Sequence, residues 1–310
     1  MIFVTGATGV LGQPTVRLLV ARGHRVTALV RSEAKAHLAA EMGATPVIGD
    51  LFDPNFIRIA TQGAESILHL ATSIPKKAVI SGSDWVMNDR IRLEGTKNLM
   101  DAAQSLKLTS FVLQSVAFMY GDTRGEWKRE DDALPKKPGR NLRSAAEMEA
   151  NALAQYKVNS LPVVILRGAL FYGPQAYSTR TMLDSIQHRR LPIIGSGDQY
   201  WHWVYVDDMA RAVVLAAEHP APGEIFNVAD DWAFHARDGM SYIAAALNAP
   251  APFKMTTPLA KVLGGSTADF FSQSARYRTD KIKKMLGWSP KYPTYREGLI
   301  EVFRQMGKRV

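Results

Sequence analysis

At 310 residues the chain is long enough for one large α/β unit or two modest domains, and its 46% hydrophobic and 22% charged residues, free of low-complexity tracts and repeats, mark an ordered globular protein. The absence of Cys excludes disulfides, a thiolate nucleophile and Cys-ligated metals. The formal charge of +9 is carried by small groups, Lys136/Lys137, Arg189/Arg190 and Lys281/Lys283/Lys284, which read as solvated surface rather than as a nucleic-acid face.

In chain order, the apolar run Ile2 to Thr5 is a strand that passes directly into a glycine loop, with neither the basic n-region nor the long apolar core of a signal peptide. No later stretch reaches the ~20 apolar residues of a membrane span, so a cytoplasmic protein without a membrane partner is expected. Further strands are expected at Arg25 to Val30, Thr45 to Ile48, Ser66 to Leu70, Ser110 to Gln114 and Pro162 to Arg167. Apolar-periodic helices near 12–22, 33–42, 55–61, 86–106 and 143–157 lie between them, each long enough for the crossover that parallel strands require. The reading is an α/β, doubly wound Rossmann sheet over residues 1–167. Residues 168–310 are broken by Tyr172-Gly173-Pro174, Gly195-Ser196-Gly197 and Pro220 to Gly223, and read as a smaller C-terminal substrate-binding domain. Its segment at about 203–230, with strands at Val204 to Val206 and Ile225 to Val228 around a helix at 207–219, is expected to return to the first domain.

The opening MIFVTGATGVLG places Gly6, Gly9 and Gly12 between a strand and a helix. A dinucleotide needs that arrangement: a tight turn, close approach of backbone to pyrophosphate, and a helix N-terminus whose free N–H groups meet the phosphate charge. The second strand ends at Arg31. A guanidinium there suits the 2′-phosphate of NADP(H), where an acid would suit the ribose 2′-hydroxyl of NAD.

With these motifs the chain resembles the extended short-chain dehydrogenase/reductase family, also called the NAD-dependent epimerase/dehydratase family. The likeness includes Gly49-Asp50-Leu51, His69-Leu70-Ala71, Glu94-Gly95-Thr96-Lys97-Asn98-Leu99, Tyr120-Gly121, Leu166-Arg167, Val204-Tyr205-Val206-Asp207-Asp208 and Leu286-Gly287-Trp288-Ser289-Pro290. It implies cofactor contacts at Gly6, Thr8, Gly9, Val10, Leu11, Gly12, Arg31, Asp50, Leu51, Leu70, Ala71 and Thr72. It also implies a homodimer formed through the helices near 88–105 and 143–157, for which Leu99, Ala102, Ala103, Ala146, Ala150 and Leu153 offer an apolar face.

Where the family carries a catalytic Tyr and, four residues on, a Lys, this sequence has Asn141 and Ala145, and the family's catalytic hydroxyl falls at Val116 beside Ser115. Only Tyr277 with Lys281 repeats the Tyr/Lys spacing, far along in the second domain. Ser115, Tyr120, Asn141 and His202 are the remaining candidates for a proton or a hydrogen bond. The diphosphate Arg of nucleotide-sugar enzymes aligns with Trp201, and an aromatic cluster of Tyr200, Trp201 and Trp203 with Phe118, Tyr172 and Phe234 suits an apolar or aromatic small molecule. The seven His residues never fall at HxxxH or HExxH spacing, so no metal site is expected. The leading expectation is an atypical NADPH-dependent reductase of a small apolar metabolite with an activated acceptor: an enone, quinone, iminium ion or ketone. A non-redox cyclase, isomerase or lyase and an NADP(H)-sensing binding protein are the alternatives.

Overall fold

A computed structural model describes residues 1–76 and 80–308. Seven parallel strands form the main sheet in the order β11-β6-β5-β4-β1-β2-β3. These are β1 Ile2–Thr5, β2 Val26–Val30, β3 Thr45–Ile48, β4 Ser66–His69, β5 Ser110–Val116, β6 Val163–Gly168 and β11 Ile225–Val228. The central strands are apolar on both faces because helices cover both, whereas β3 is an edge strand, more exposed and tolerant of Pro46.

On one face lie α1 Gly12–Ala21, α2 Glu33–Glu41, α8 Val206–Glu218 and α11 Asp280–Leu286, sharing a core with Val4, Val112 and Leu166. On the other lie α3 Pro54–Ala60, α5 Thr96–Ala103 and α6 Arg143–Asn159, packed on Phe3, Phe111 and Ile165. Helix α4, Val86–Arg90, runs into α5 through a π-helical turn at Ile91–Gly95. Arg92, which periodicity places on the apolar face, lies on this turn and is buried. Leu99, Ala102 and Ala103 are also buried, filling the core beneath the sheet, so they are not available for the apolar dimer face expected of them. Of that set only Ala146, Ala150 and Leu153 are partly or fully exposed.

The small lobe has its own aromatic core around Tyr172, Trp201, Trp203, Phe234 and Tyr295. It contains β7 Leu170–Tyr172, α7 Tyr177–Gln187, β8 Ile193–Ile194, β9 Tyr200–Trp201, β10 Trp203–Tyr205, β12 Phe234–His235, α9 Ala236–Ala246, β13 Lys254–Met255, α10 Thr257–Phe271 and α12 Tyr295–Gln305. Of the two strands expected to return to the main sheet, β11 does so beside β6. The other, β10, pairs instead with β7, because Trp203 and Tyr205 are needed by the aromatic core of the small lobe. Tyr277, Leu286 and Trp288 pack back onto the core of the main sheet, so late residues serve both lobes.

Candidate functional site

The glycine loop is closed tightly over the centre of the sheet. Gly6 has φ +73°, and a Cβ there would stand 2.6 Å from Ala71 N; a Cβ on Gly12 would stand 2.0 Å from Gly6 O. The Gly9 amide donates to Gly6 O at 2.9 Å. This leaves a side-chain-free cradle at the start of α1, where the helix dipole favours an anion, with Leu70, Ala71 and Thr72 following directly after the end of β4.

To one side, past β2 and β3, a cleft of about 490 Å³ is lined by Arg31, Ile48, Gly49, Asp50, Phe52, Met87 and Arg90. Arg31 is exposed, and Asp50 is held by the Phe52 amide donating to its Oδ1 at 3.0 Å. Asn98 Nδ2 donates to Leu51 O at 3.1 Å, fixing the turn from behind. Arg90 has its Cζ 3.8 Å from the centroid of the Phe52 ring and binds Glu94 through Nε and Nη2 at 2.6 and 2.9 Å. That second guanidinium comes from a helix distant in sequence and carried no motif by which it could be read.

To the other side, past β4 and β5, lie the positions where the resemblance places proton chemistry. Asn141 is in a 3₁₀ turn, Arg140–Leu142, just ahead of α6, and Ala145 on α6 is fully buried. Ser115 is 2% exposed, and its Oγ has no hydrogen-bond partner among the described residues. The same holds for Asn88 Nδ2 on α4, although Asn88 Oδ1 accepts from Ser73 N at 2.9 Å. Buried polar atoms are almost always paired, so these orphans fit a ligand of polar character. Arg92 Nη1 donates to Asn141 O at 2.9 Å and to Ser144 Oγ at 3.2 Å, while Ser144 Oγ donates to Asp89 Oδ1 at 2.6 Å. His69, behind this region, shares a 2.6 Å hydrogen bond with Thr5 Oγ1, and burial pulls its pKa down to about 4. Arg92 had one sequence signal, an arginine on the apolar stripe that includes Leu99.

The other two proton candidates are corrected by their bonding. Tyr120 donates to Asn227 Oδ1 at 3.0 Å and accepts from Arg167 Nη1 at 2.7 Å, and burial raises its pKa. Arg167 is in turn clamped by buried Glu149 at 2.7 Å. His202 donates from Nε2 to Asp230 O at 2.7 Å and accepts at Nδ1 from Tyr277 N at 3.0 Å. Burial pulls it to about 4, so the ring is neutral with both nitrogens occupied. Both side chains serve the architecture. The Tyr277/Lys281 pair is likewise apart from proton chemistry: Tyr277 is buried, and Lys281 pairs with Glu224 at 2.6 Å.

A cavity of about 40 Å³ lies beyond β5, lined chiefly by Phe118, Trp201, His202, Trp203, Phe270, Phe271 and Tyr277. Of the expected aromatic cluster, Tyr200, Tyr172 and Phe234 do not line this cavity; the latter two lie in the core of the small lobe, which Trp201 and Trp203 share, Tyr172 donating to Asp230 Oδ2 and Phe234 stacked on Tyr295 at 3.9 Å. Phe270 and Phe271 come from α10, which the sequence reading did not identify. Among the described residues no group of three His, Asp or Glu is placed to hold a metal ion, and no helix is long and apolar enough to cross a membrane.

Residues 2–229 match the family model described as the NAD dependent epimerase/dehydratase family. Among curated proteins, a 3-diazoavenalumate denitrifying reductase from a Streptomyces species is 30% identical, covering 96% of this chain and 98% of its own. A 4-hydroxy-2-methyl-3-oxo-4-farnesyl-3,4-dihydroquinoline-1-oxide ketoreductase from Stigmatella aurantiaca is 26% identical over 74% of this chain and 67% of its own. Among solved structures, dTDP-glucose 4,6-dehydratase from Streptomyces venezuelae, determined with NAD bound, has the same fold: TM-score 0.79, 22% identity, and coverage of 98% of this chain and 97% of that one.

Proposed function

Because the chain belongs to the NAD-dependent epimerase/dehydratase family, we propose that it is an NADPH-dependent reductase of a small apolar or aromatic molecule whose acceptor carbon is already electrophilic. The glycine cradle would hold the pyrophosphate, Asp50 would border the adenine, and Arg31 with Arg90 would supply cationic groups for the 2′-phosphate, whereas Leu51, also expected there, is buried and does not line the cleft. Bound there, NADPH supplies a hydride.

The observation that carries the reading is the loss of the proton machinery. Asn141 and Ala145 occupy the Tyr and Lys positions, and Tyr120 and His202 are bonded into the structure. General acid catalysis is typically worth ~10²–10⁴-fold, so a simple ketone would react slowly here. An acceptor such as an enone, quinone, iminium or diazonium ion relies far less on a strong acid in the site. The relative named as a 3-diazoavenalumate denitrifying reductase is in keeping with an acceptor of that kind; on such an acceptor a hydride delivered to carbon would form the C–H bond while the C–N bond breaks and dinitrogen leaves with that bond's electron pair. Phe118, Trp201 and Trp203, which line the small cavity beyond β5, would present an apolar wall to an acceptor seated at its mouth.

The test is NADPH oxidation followed at 340 nm against a panel of aryl diazonium ions, quinones, enones and simple aryl ketones, with deuterium transfer from 4-deuterated NADPH as confirmation. Turnover of at least one activated class, at ten-fold or more the rate on ketones, is expected. Tight NADPH binding with no acceptor consumed would overturn the reading in favour of a non-redox enzyme or a sensor.

A further inference from the structure

Arg92 is 6% exposed, on the π turn between α4 and α5. A guanidinium has five N–H donors. The two on Nη1 serve Asn141 O and Ser144 Oγ, while Nε and Nη2 have no partner among the described residues. Arg92 forms no ion pair among the described residues, although the charges of Asp89 and Glu149 lie near enough to act on it. Asp89 is taken by Arg140 at 2.7 Å and Glu149 by Arg167 at 2.7 Å, so three arginines share two acids in this layer. Burial lowers Arg92 to about 10, which leaves it charged at neutral pH. A buried, half-bonded cation whose neighbouring acids are each paired with another arginine is costly unless a ligand completes it.

Its surroundings point the same way. Asn88, one turn earlier on the same helical run, keeps Nδ2 unpaired while its Oδ1 ties the helix to Ser73, just past β4. Ser115, near the end of β5, keeps Oγ unpaired. A dinucleotide crosses the carboxyl edge of such a sheet. With Arg31 and Asp50 past β2 and β3 at one end and the glycine cradle over β1 in the middle, the opposite end falls past β4 and β5.

We infer that Arg92, with Asn88 and Ser115, forms a buried cationic subsite for the nicotinamide half of the cofactor, and that its charge makes the protein favour the reduced over the oxidised dinucleotide. The unpaired donors suit the ribose and carboxamide oxygens, which both redox forms possess. The oxidised ring alone is positively charged and meets repulsion from the guanidinium. The inference rests on the proposed NADP(H) site but not on any acceptor.

The experiment is a pair of dissociation constants, for NADPH and NADP⁺, measured by calorimetry on the wild type, Arg92→Lys and Arg92→Met, with thermal melts to establish that each variant is folded. The wild type should bind NADPH more tightly, Arg92→Lys should keep that preference, and Arg92→Met should shrink it by roughly ten-fold or more, the size expected of a partly buried charge pair. Ser115→Ala should weaken both forms alike and leave their ratio unchanged. A wild type that binds both forms equally would overturn the inference, as would a folded Arg92→Met with the wild-type ratio. If neither form binds at all, the cofactor assignment itself falls, which the wild-type measurement alone reveals.

Discussion

Arg31 and Arg90 approach one cleft from elements that lie far apart in the chain, and they differ in how free they are to act. Arg31 is exposed at the end of β2, whereas Arg90 is held on Phe52 and bonded twice to Glu94. A 2′-phosphate would therefore gain most from Arg31, with Arg90 redirected only in part. We expect calorimetry to show NADPH bound more tightly than NADH, and Arg31→Asp to weaken NADPH by about 1–3 kcal/mol while sparing NADH, the range for a lost charge-assisted hydrogen bond. Equal wild-type affinities would rule out a 2′-phosphate site. Arg31 was legible because its position follows from the strand that precedes it. Arg90 was not, and Arg92 only as an arginine on an apolar stripe, since their roles depend on how a helix is seated against loops remote in sequence. His202 shows the converse. A histidine beside aromatics reads as a proton donor until both of its nitrogens are seen to be occupied by backbone.

At the scale of elements, β1 through β6 were legible because buried parallel strands are short apolar runs between helical stretches, a signal that owes little to distant contacts. The strands of the small lobe are two or three residues long, and their pairing is decided by where Trp201, Trp203 and Phe234 find a core, which no local pattern specifies. Helix α6 joins the two cases. Its span was readable, but the burial of Ala145 was not, and that burial bears on whether the family's catalytic pair can be restored. A Lys at 145 must enter a filled space close to Arg92, which already holds Ser144. Ala145→Lys alone should therefore cost about 1–3 kcal/mol in denaturant unfolding through overpacking, with charge repulsion added. The combination Asn141→Tyr, Ala145→Lys and Val116→Ser should create or raise reduction of simple aryl ketones, because it returns a proton donor, its cationic neighbour and the partner hydroxyl together. A folded, NADPH-binding triple variant with no gain on any ketone would show that the pocket, not the missing acid, limits the chemistry.

Across the whole molecule, two cores flank the main sheet, a third fills the small lobe, and His202 stands where the lobes meet. Its neighbours Trp201 and Trp203 belong to the small-lobe core, while its ring stacks on Tyr277, part of the core on one face of the sheet, at 5.7 Å and 15°. The bond from Tyr277 N to Nδ1 exists only while the imidazole is neutral. His202 and His69 both have folded-state pKa values near 4, set by burial, against about 6.5 when unfolded. Between those values the unfolded chain binds more protons, so the stability from each histidine is complete above about 6.5 and is lost as the pH falls toward 4. At pH 5 the loss is about 2 kcal/mol for each. Buried Asp230, which accepts from Tyr172 and from Tyr205 N, acts in the opposite sense. Its folded pKa is raised by burial, so its contribution is present at low pH and is lost as the pH rises through that raised value. Glu130 and Asp207, whose pKa values burial also raises, act in the same sense as Asp230, so the share of one histidine is read by comparing its variant with the wild type. The histidines themselves act to lower the melting temperature as the pH falls from 7.5 to 5.0. His202→Asn should lower stability at pH 7.5, since it gives up the Asp230 and Tyr277 contacts, yet remove that histidine's share of the acid-side lowering. If the variant and the wild type shift by the same number of degrees over that interval, His202 is not the group through which acid loosens the joint between the lobes.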